Sequence, residues 1–309
     1  SLNGLSAWVE TFVFQSVQFL IFLAGAIGFS IRHDRPMSRA EALAHLPLLL
    51  IFYALQYPLL EENLPDLAPW IALASAALLL AAQRFARHRL SLSPQAGSLL
   101  VSAYAALALF HAGYMELIPH DLAPWLVLAL LPALALYARL AGPGTTLAWP
   151  FRVLVAVVFA INYLRVVLEG GYADGSDHSV LALLYALELY AAYHFARRLP
   201  ELESLAMPLL YAGHIALMGG AVNLLEERLA VSLAWGALGL ACLALAFRLR
   251  DKLLGKSSLL VFAASAAKVL LFDLSDATPL VRIACLVILG VTLYAGGWMY
   301  RKVDGIDAG

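Results

Sequence analysis

The sequence predicts an all-α protein, a polytopic transmembrane helix bundle of about 11 spans: one N-terminal span, then five repeated helical hairpins of about 55 residues. Three observations predict it. The first is composition. The chain is 62% hydrophobic and 13% charged, whereas ordinary soluble domains run at about 45–50% apolar and about 25% charged. The second is run length. Nearly uncharged stretches of roughly 18 residues or more recur along the 309-residue chain, each long enough to cross a hydrocarbon core of about 30 Å as a helix. A helix closes its own backbone hydrogen bonds and so tolerates lipid. The strict apolar/polar alternation of a membrane barrel is absent. The third is a repeat. EENLPDLAPW at 61–70 returns as ELIPHDLAPW at 116–125, and a worn copy, EERLAVSLAW, occupies 226–235. Trp70 and Trp125 are 55 residues apart, and Trp125 and Trp235 are 110 apart. Steps of 55 also reach Val180 and Gly290, each early in an apolar run after an acidic loop.

Taken in order, the predicted spans are 12–31, 43–60, 67–86, 95–115, 122–140, 151–168, 179–195, 205–225, 229–247, 258–274 and 280–300. The last ten pair into repeats at approximately 43–90, 95–145, 150–198, 204–252 and 257–303. The turns between them are too short to hold a soluble domain, so 1–309 reads as a single transmembrane domain. Pro69 and Pro124 suit the first turn of a helix, where the missing N–H costs nothing. Trp70 and Trp125 then fall at the membrane interface, where amphipathic rings prefer to lie. Pro58, Pro132 and Pro208 fall inside or near spans and are expected to kink or break them locally. Gly25–Gly28, Gly213–Gly219–Gly220 and Gly296–Gly297 have the small-residue spacing that lets helices approach closely.

The turns alternate in charge. After odd-numbered spans they are basic, as at Arg32, Arg35 and Arg39 or at Arg248, Arg250, Lys252 and Lys256. After even-numbered spans they are acidic, as at Glu61, Glu62 and Asp66 or at Asp174 and Asp177. Lys and Arg near span ends favour the cytoplasm. The N-terminus is therefore expected outside, periplasmic in a bacterium, and the C-terminus in the cytoplasm, across the cytoplasmic (inner) membrane. The chain has no initiator Met and no cleavable signal pattern, so it is expected to be a fragment of something longer.

Ionisable side chains in lipid cost about 2.5–3.5 kcal/mol each on insertion scales, which makes them functional candidates by default. Glu188, mid-span in LLYALELYAAYHF, is the clearest, with Arg165 and Asn162 near the outer end of the neighbouring span. A Glu188–Arg165 contact is one expectation, a protonated and hydrogen-bonded Glu188 another, and a proton or cation site a third. Lys268 lies in AASAAKVLLFDLS, and Asp273 follows five residues later on a different face of the helix. Lys268 is therefore expected to reach a carboxylate on another helix or to extend toward an interface. His111 and His214 sit in apolar runs in different helices. They read as satisfied polar groups at helix contacts or, less economically, as ligands to a haem or a metal.

No metal or cofactor is expected, because neither histidine has a companion at ligand spacing. Cys242 and Cys285 lie in apolar runs without CxxC spacing and read as buried small residues. No phosphate-cradling glycine loop, nucleophile elbow or basic arm for nucleic acid is present. The expected partners are the lipid bilayer, other membrane proteins and the missing N-terminal part of the chain.

KSSLLVFAASAAKVLLFDLSDATPLVRIACLVILGVTLYAGGWMYRKV, at 256–303, resembles the close of an uncharacterised bacterial membrane family, domain of unknown function 2339 (DUF2339). The matching pattern is Lys268, then FDLS from Phe272 to Ser275, then Arg282 early in the last span, then Tyr300 and the basic stop at Arg301. LAWGALGLACLALAFRLR, from Leu233, is similar to the helix that precedes that ending. The resemblance implies a longer parent protein and makes Lys268, Asp273 and Arg282 site candidates. It implies no substrate, activity or cofactor.

Three functions fit. The first is transport, or the handling of lipid or envelope precursors, through intramembrane charges. The second is a membrane scaffold whose charges fix helix register. The third is an enzyme on a lipid-linked substrate, with Asp174 and Asp177 as acid and base. An enzyme is the less favoured class.

Overall fold

The structure is a computed structural model and describes residues 2–33, 39–90, 97–141, 147–169, 176–199, 202–225 and 227–273, with scattered positions from 279 to 298. Among the described residues every regular element is helical, as composition and run length dictate. The helices are α1 (Leu2–Arg32), α2 (Arg39–Asn63), α3 (Ala68–Leu90), α4 (Gly97–Ala108), α5 (Ala123–Val127), α6 (Leu130–Ala141), α7 (Trp149–Leu164), α8 (Ser176–Ala196), α9 (Glu203–Leu224), α10 (Arg228–Leu249) and α11 (Lys252–Lys268). Three of them run on into π-helical turns: α4 into Leu109–Leu117, α7 into Arg165–Glu169 and α11 into Val269–Asp273.

Seven stretches among the described residues are long and apolar enough to cross a membrane: Ala7–Gly25, Leu43–Asn63, Leu99–Leu117, Trp149–Val167, Ser179–Ala196, Glu203–Leu224 and Arg228–Leu249. They coincide with predicted spans one, two, four and six to nine. Predicted spans three and five are shorter apolar helices, Ala68–Arg84 and Ala123–Tyr137. The tenth becomes α11 and its π turn, which carry Lys256, Lys268 and Asp273 and three serines among the apolar residues. The eleventh lies largely outside the described residues.

The prolines divide the same way. Predicted span five breaks between α5 and α6, and Pro132 stands in the first turn of the new helix. Pro47 and Pro58 instead sit inside the uninterrupted α2, and Pro208 inside α9. One proline removes a single rung of the ladder, and the turns on either side hold the helix together.

The two intact DLAPW copies fold alike. In the first, the amides of Leu67 and Ala68 both donate to Leu64 O, at 3.0 and 2.8 Å. In the second, those of Leu122 and Ala123 both donate to Pro119 O, at 3.1 and 3.0 Å. A helix then starts on the alanine, the Ala-Pro pair is buried and the tryptophan is exposed. The worn third copy lacks the proline and does otherwise. Its helix starts at Arg228, so Trp235 lies two turns in, where its Nε1–H donates to Met218 O at 3.0 Å.

The chain forms two compact units. One comprises Ser1–Ala123 and Leu134–Ala160, the other Pro124–Ala133 and Ile161–Gly309. In the first, Ala68, Ala72 and Ala76 of α3 are buried with Ala105 and Ala108 of α4, and Tyr53, Tyr57 and Leu60 of α2 fill the same core. Residues spaced by three or four share a helix face, and alanine there lets backbones close up.

In the second unit α8 packs along α9, and α10 along α11. Glycine permits both contacts. A Cβ on Gly220 would stand 3.1 Å from that of Ala182, and one on Gly239 3.2 Å from the Phe262 ring. Gly25 and Gly28, expected at a close contact, face open space instead, with nothing within 4 Å of an added Cβ. Spacing alone does not say which face finds a neighbour.

Candidate functional site

The second unit holds most of the described candidates, and α8 carries the central one. Its buried residues Leu181, Ala182, Tyr185, Leu189, Tyr193 and Ala196 recur every three or four positions and form its inward face, and α9 is the helix it packs along. Val180, Leu187 and Phe195 form the exposed stripe. Glu188 stands at the border of these faces, about 12 Å from either end of the apolar stretch Ser179–Ala196 at 1.5 Å per residue. Both carboxylate oxygens are buried, and neither has a hydrogen-bond partner among the described residues. Glu188 thus forms no hydrogen bond to Arg165. Nor, among the described residues, is its carboxyl group hydrogen-bonded to another neighbour. Arg165 opens the π turn after α7 and is half-buried, while Asn162 is fully buried one turn earlier.

His214 is buried on α9 and engaged at both nitrogens. Tyr190 Oη lies 2.6 Å from Nδ1, and Ser257 Oγ lies 2.9 Å from Nε2. Ser257 donates its one hydroxyl proton to Leu254 O at 2.9 Å, so it accepts from Nε2–H and leaves Nδ1 to accept from Tyr190. The chain Tyr190, His214, Ser257, Leu254 thus ties α8, α9 and α11 together and leaves no free nitrogen for a metal or haem. His111, in the other unit, differs. It sits in the π segment Leu109–Leu117, edge-on to Tyr57 at 4.5 Å and to Tyr53 at 5.8 Å between ring centroids. Its Nδ1 and the Tyr53 hydroxyl are buried without hydrogen-bond partners. His111 is held by these ring contacts.

Lys268 reaches the neighbouring helix at an oxygen-lined notch. Its Nζ donates to Arg228 O and to Ser232 Oγ, each at 2.8 Å, and Ser265 Oγ donates to Ser232 O at 3.0 Å. The start of α10 leaves carbonyls and hydroxyls on this face, and an ammonium can bond several acceptors at once. Asp273 closes the π turn after α11, and its side chain lies outside the described residues, as do Arg282, Cys285, Asp174 and the side chain of Asp177.

A cluster that spacing did not single out lies at the other end of α8. Asp251 is 2% exposed and caps α11, accepting from Leu254 N–H at 3.0 Å. It also accepts from Tyr193 O–H at 2.6 Å and forms an ion pair with Arg197, whose guanidinium lies over the Tyr193 ring at 5.8 Å. The preceding residue, Arg250, adopts a left-handed conformation with φ of 52°, and Asp251 N–H returns to Ala246 O at 2.9 Å, closing α10. Beside this cluster is a cavity of about 240 Å³ lined by His194, Arg197, Arg198 and Leu249. The signal was present in the sequence: Asp251 is the lone carboxylate in the basic loop RLRDKLLGK.

Residues 180–303 match the family model described as predicted membrane protein, DUF2339. The match covers the C-terminal part of the chain, about two fifths of its length. The match begins well before the 256–303 ending that carries the resemblance in the sequence. The matched segment thus takes in Glu188, His214, Asp251, Lys268 and the residues lining the cavity. No curated protein and no solved structure matches the chain. The chain is a membrane protein with several apolar helices.

Proposed function

We propose that this chain is a multi-pass protein of the bacterial cytoplasmic membrane, of about 11 spans, that transports or handles an ionic or lipid-linked envelope substrate through Glu188. The N-terminus faces outward and the C-terminus inward, following the basic and acidic turns. One observation carries the reading: a carboxyl group midway along an apolar helix, with both oxygens buried and no hydrogen-bond partner among the described residues. A group that only fixes helix register gains nothing from being left unpaired, since a buried unsatisfied polar atom costs about 1–3 kcal/mol. A group that must take up and release a proton or cation cannot be permanently bonded.

The test uses the full chain in proteoliposomes. A hydrophobic carbodiimide is expected to modify Glu188 in the wild type and to leave Glu188→Gln unmodified there. The same variant should abolish proton-coupled flux and fail to complement a deletion strain. Wild-type flux and complementation by Glu188→Gln would remove Glu188 from the mechanism.

A second reading, a membrane scaffold, is favoured by different residues. His214, Lys268 and Asp251 all hydrogen-bond between helices or at helix ends. If Glu188→Gln is silent while loss of these bonds removes a partner protein from the purified complex, the scaffold reading takes over.

A further inference from the structure

We propose that the cavity lined by His194, Arg197, Arg198 and Leu249 is a binding site for a phosphate group, borne by an anionic phospholipid or free in solution. His194, Arg197 and Arg198 are spaced by three and four along the closing turn of α8 and so share one side of it. Leu249, the last residue of α10, supplies an apolar wall. The volume of about 240 Å³ is far more than a single water requires and accommodates a phosphate with its ester substituents.

The charge balance selects an anion. Asp251 is consumed by Arg197, the Tyr193 hydroxyl and the α11 amide, so it neutralises one guanidinium and no more. Arg198 has no acidic partner among the described residues. His194 contributes a ring N–H whichever protonation state it holds.

Preorganisation selects phosphate over a diffuse countercharge. Arg197 is clamped by Asp251 and stacked on Tyr193, yet 40% of its side chain remains exposed, so a free edge of its planar fork is presented in a fixed orientation. A fixed guanidinium fork beside a second one is the arrangement that recognises phosphate oxygens in pairs. The apolar exteriors next to it, Phe195 on α8 and Phe247 on α10, provide a surface along which acyl chains can lie. This inference uses none of the residues of the Glu188 proposal and needs only the membrane setting, so either can fail alone.

The test measures binding, not transport. The purified full chain is placed in phosphatidylcholine nanodiscs containing a small fraction of phosphatidylglycerol, and retained lipid is counted by native mass spectrometry. In parallel, lipid-depleted protein in detergent is titrated with inorganic phosphate. The wild type is expected to retain phosphatidylglycerol over phosphatidylcholine. Arg198→Gln should weaken that retention at least about tenfold, the worth of one charged hydrogen bond. Arg197→Lys keeps the ion pair and loses the fork, so it should weaken retention while leaving the thermal midpoint near wild type. Phosphate binding in the titration would mark a general phosphate site, and lipid retention without it a headgroup site that requires acyl chains. Equal retention of both lipids by the wild type, or unchanged retention in Arg198→Gln and His194→Gln, would overturn the proposal.

Discussion

Glu188 and Asp251 are two acidic groups with buried oxygens, one carried by α8 and one held by it, about 8 Å apart in their positions along that helix, since Tyr193, which holds Asp251, is five residues from Glu188. Their surroundings are opposite. Asp251 has an arginine, a phenol and a backbone amide. Glu188 has none of these, and both of its oxygens are buried. A carboxylate at a helix junction finds the unpaired amides of a helix start and the basic residues of the turn. A carboxylate halfway along a helix finds only side chains, because the backbone there is already bonded to itself. Where a polar group lies along a membrane helix thus decides whether the fold can absorb it.

That contrast can be broken most severely at Asp251. Asp251→Ala strands Arg197 and Tyr193 and removes the cap of α11, and should cost about 3 kcal/mol. The expected result is a clear fall in thermal midpoint in detergent. An unchanged midpoint would mean that the three partners are incidental. The opposite sign is expected at the other carboxyl. Glu188→Leu removes an unsatisfied buried group and should stabilise the protein by about 1–2 kcal/mol while abolishing function. A loss of stability there would show that Glu188 has a structural partner after all. The smallest effect belongs to Lys268→Met. It gives up bonds to one carbonyl and one hydroxyl but keeps the aliphatic stem, so a loss of about 1 kcal/mol is expected in the same melt.

How legible each feature was depended on its range. The turns at DLAPW were readable because Asp, Pro and Trp act within a few residues, and the two copies with all three share one hydrogen-bond pattern. The copy at Trp235 lost the proline, and with it the helix start. The π turns were not readable. An extra residue in a helical turn leaves no compositional mark, yet these turns hold His111, Arg165 and Asp273. Glu188 stood out because one charge in an apolar run is conspicuous. Asp251 did not, because a charge among charges is not.

The sequence by itself determined that the chain is helical and belongs in lipid, since both follow from how many apolar residues run together and from the need of backbone groups to be bonded inside that run. It also marked which polar residues lie at depth. Tertiary structure decided which of them are satisfied. Lys268 meets oxygens of α10, His214 meets Tyr190 and Ser257, and Glu188 finds no hydrogen-bond partner among the described residues. A hydrogen bond needs its two atoms within about 3 Å, and only the packing of one helix against another sets that distance.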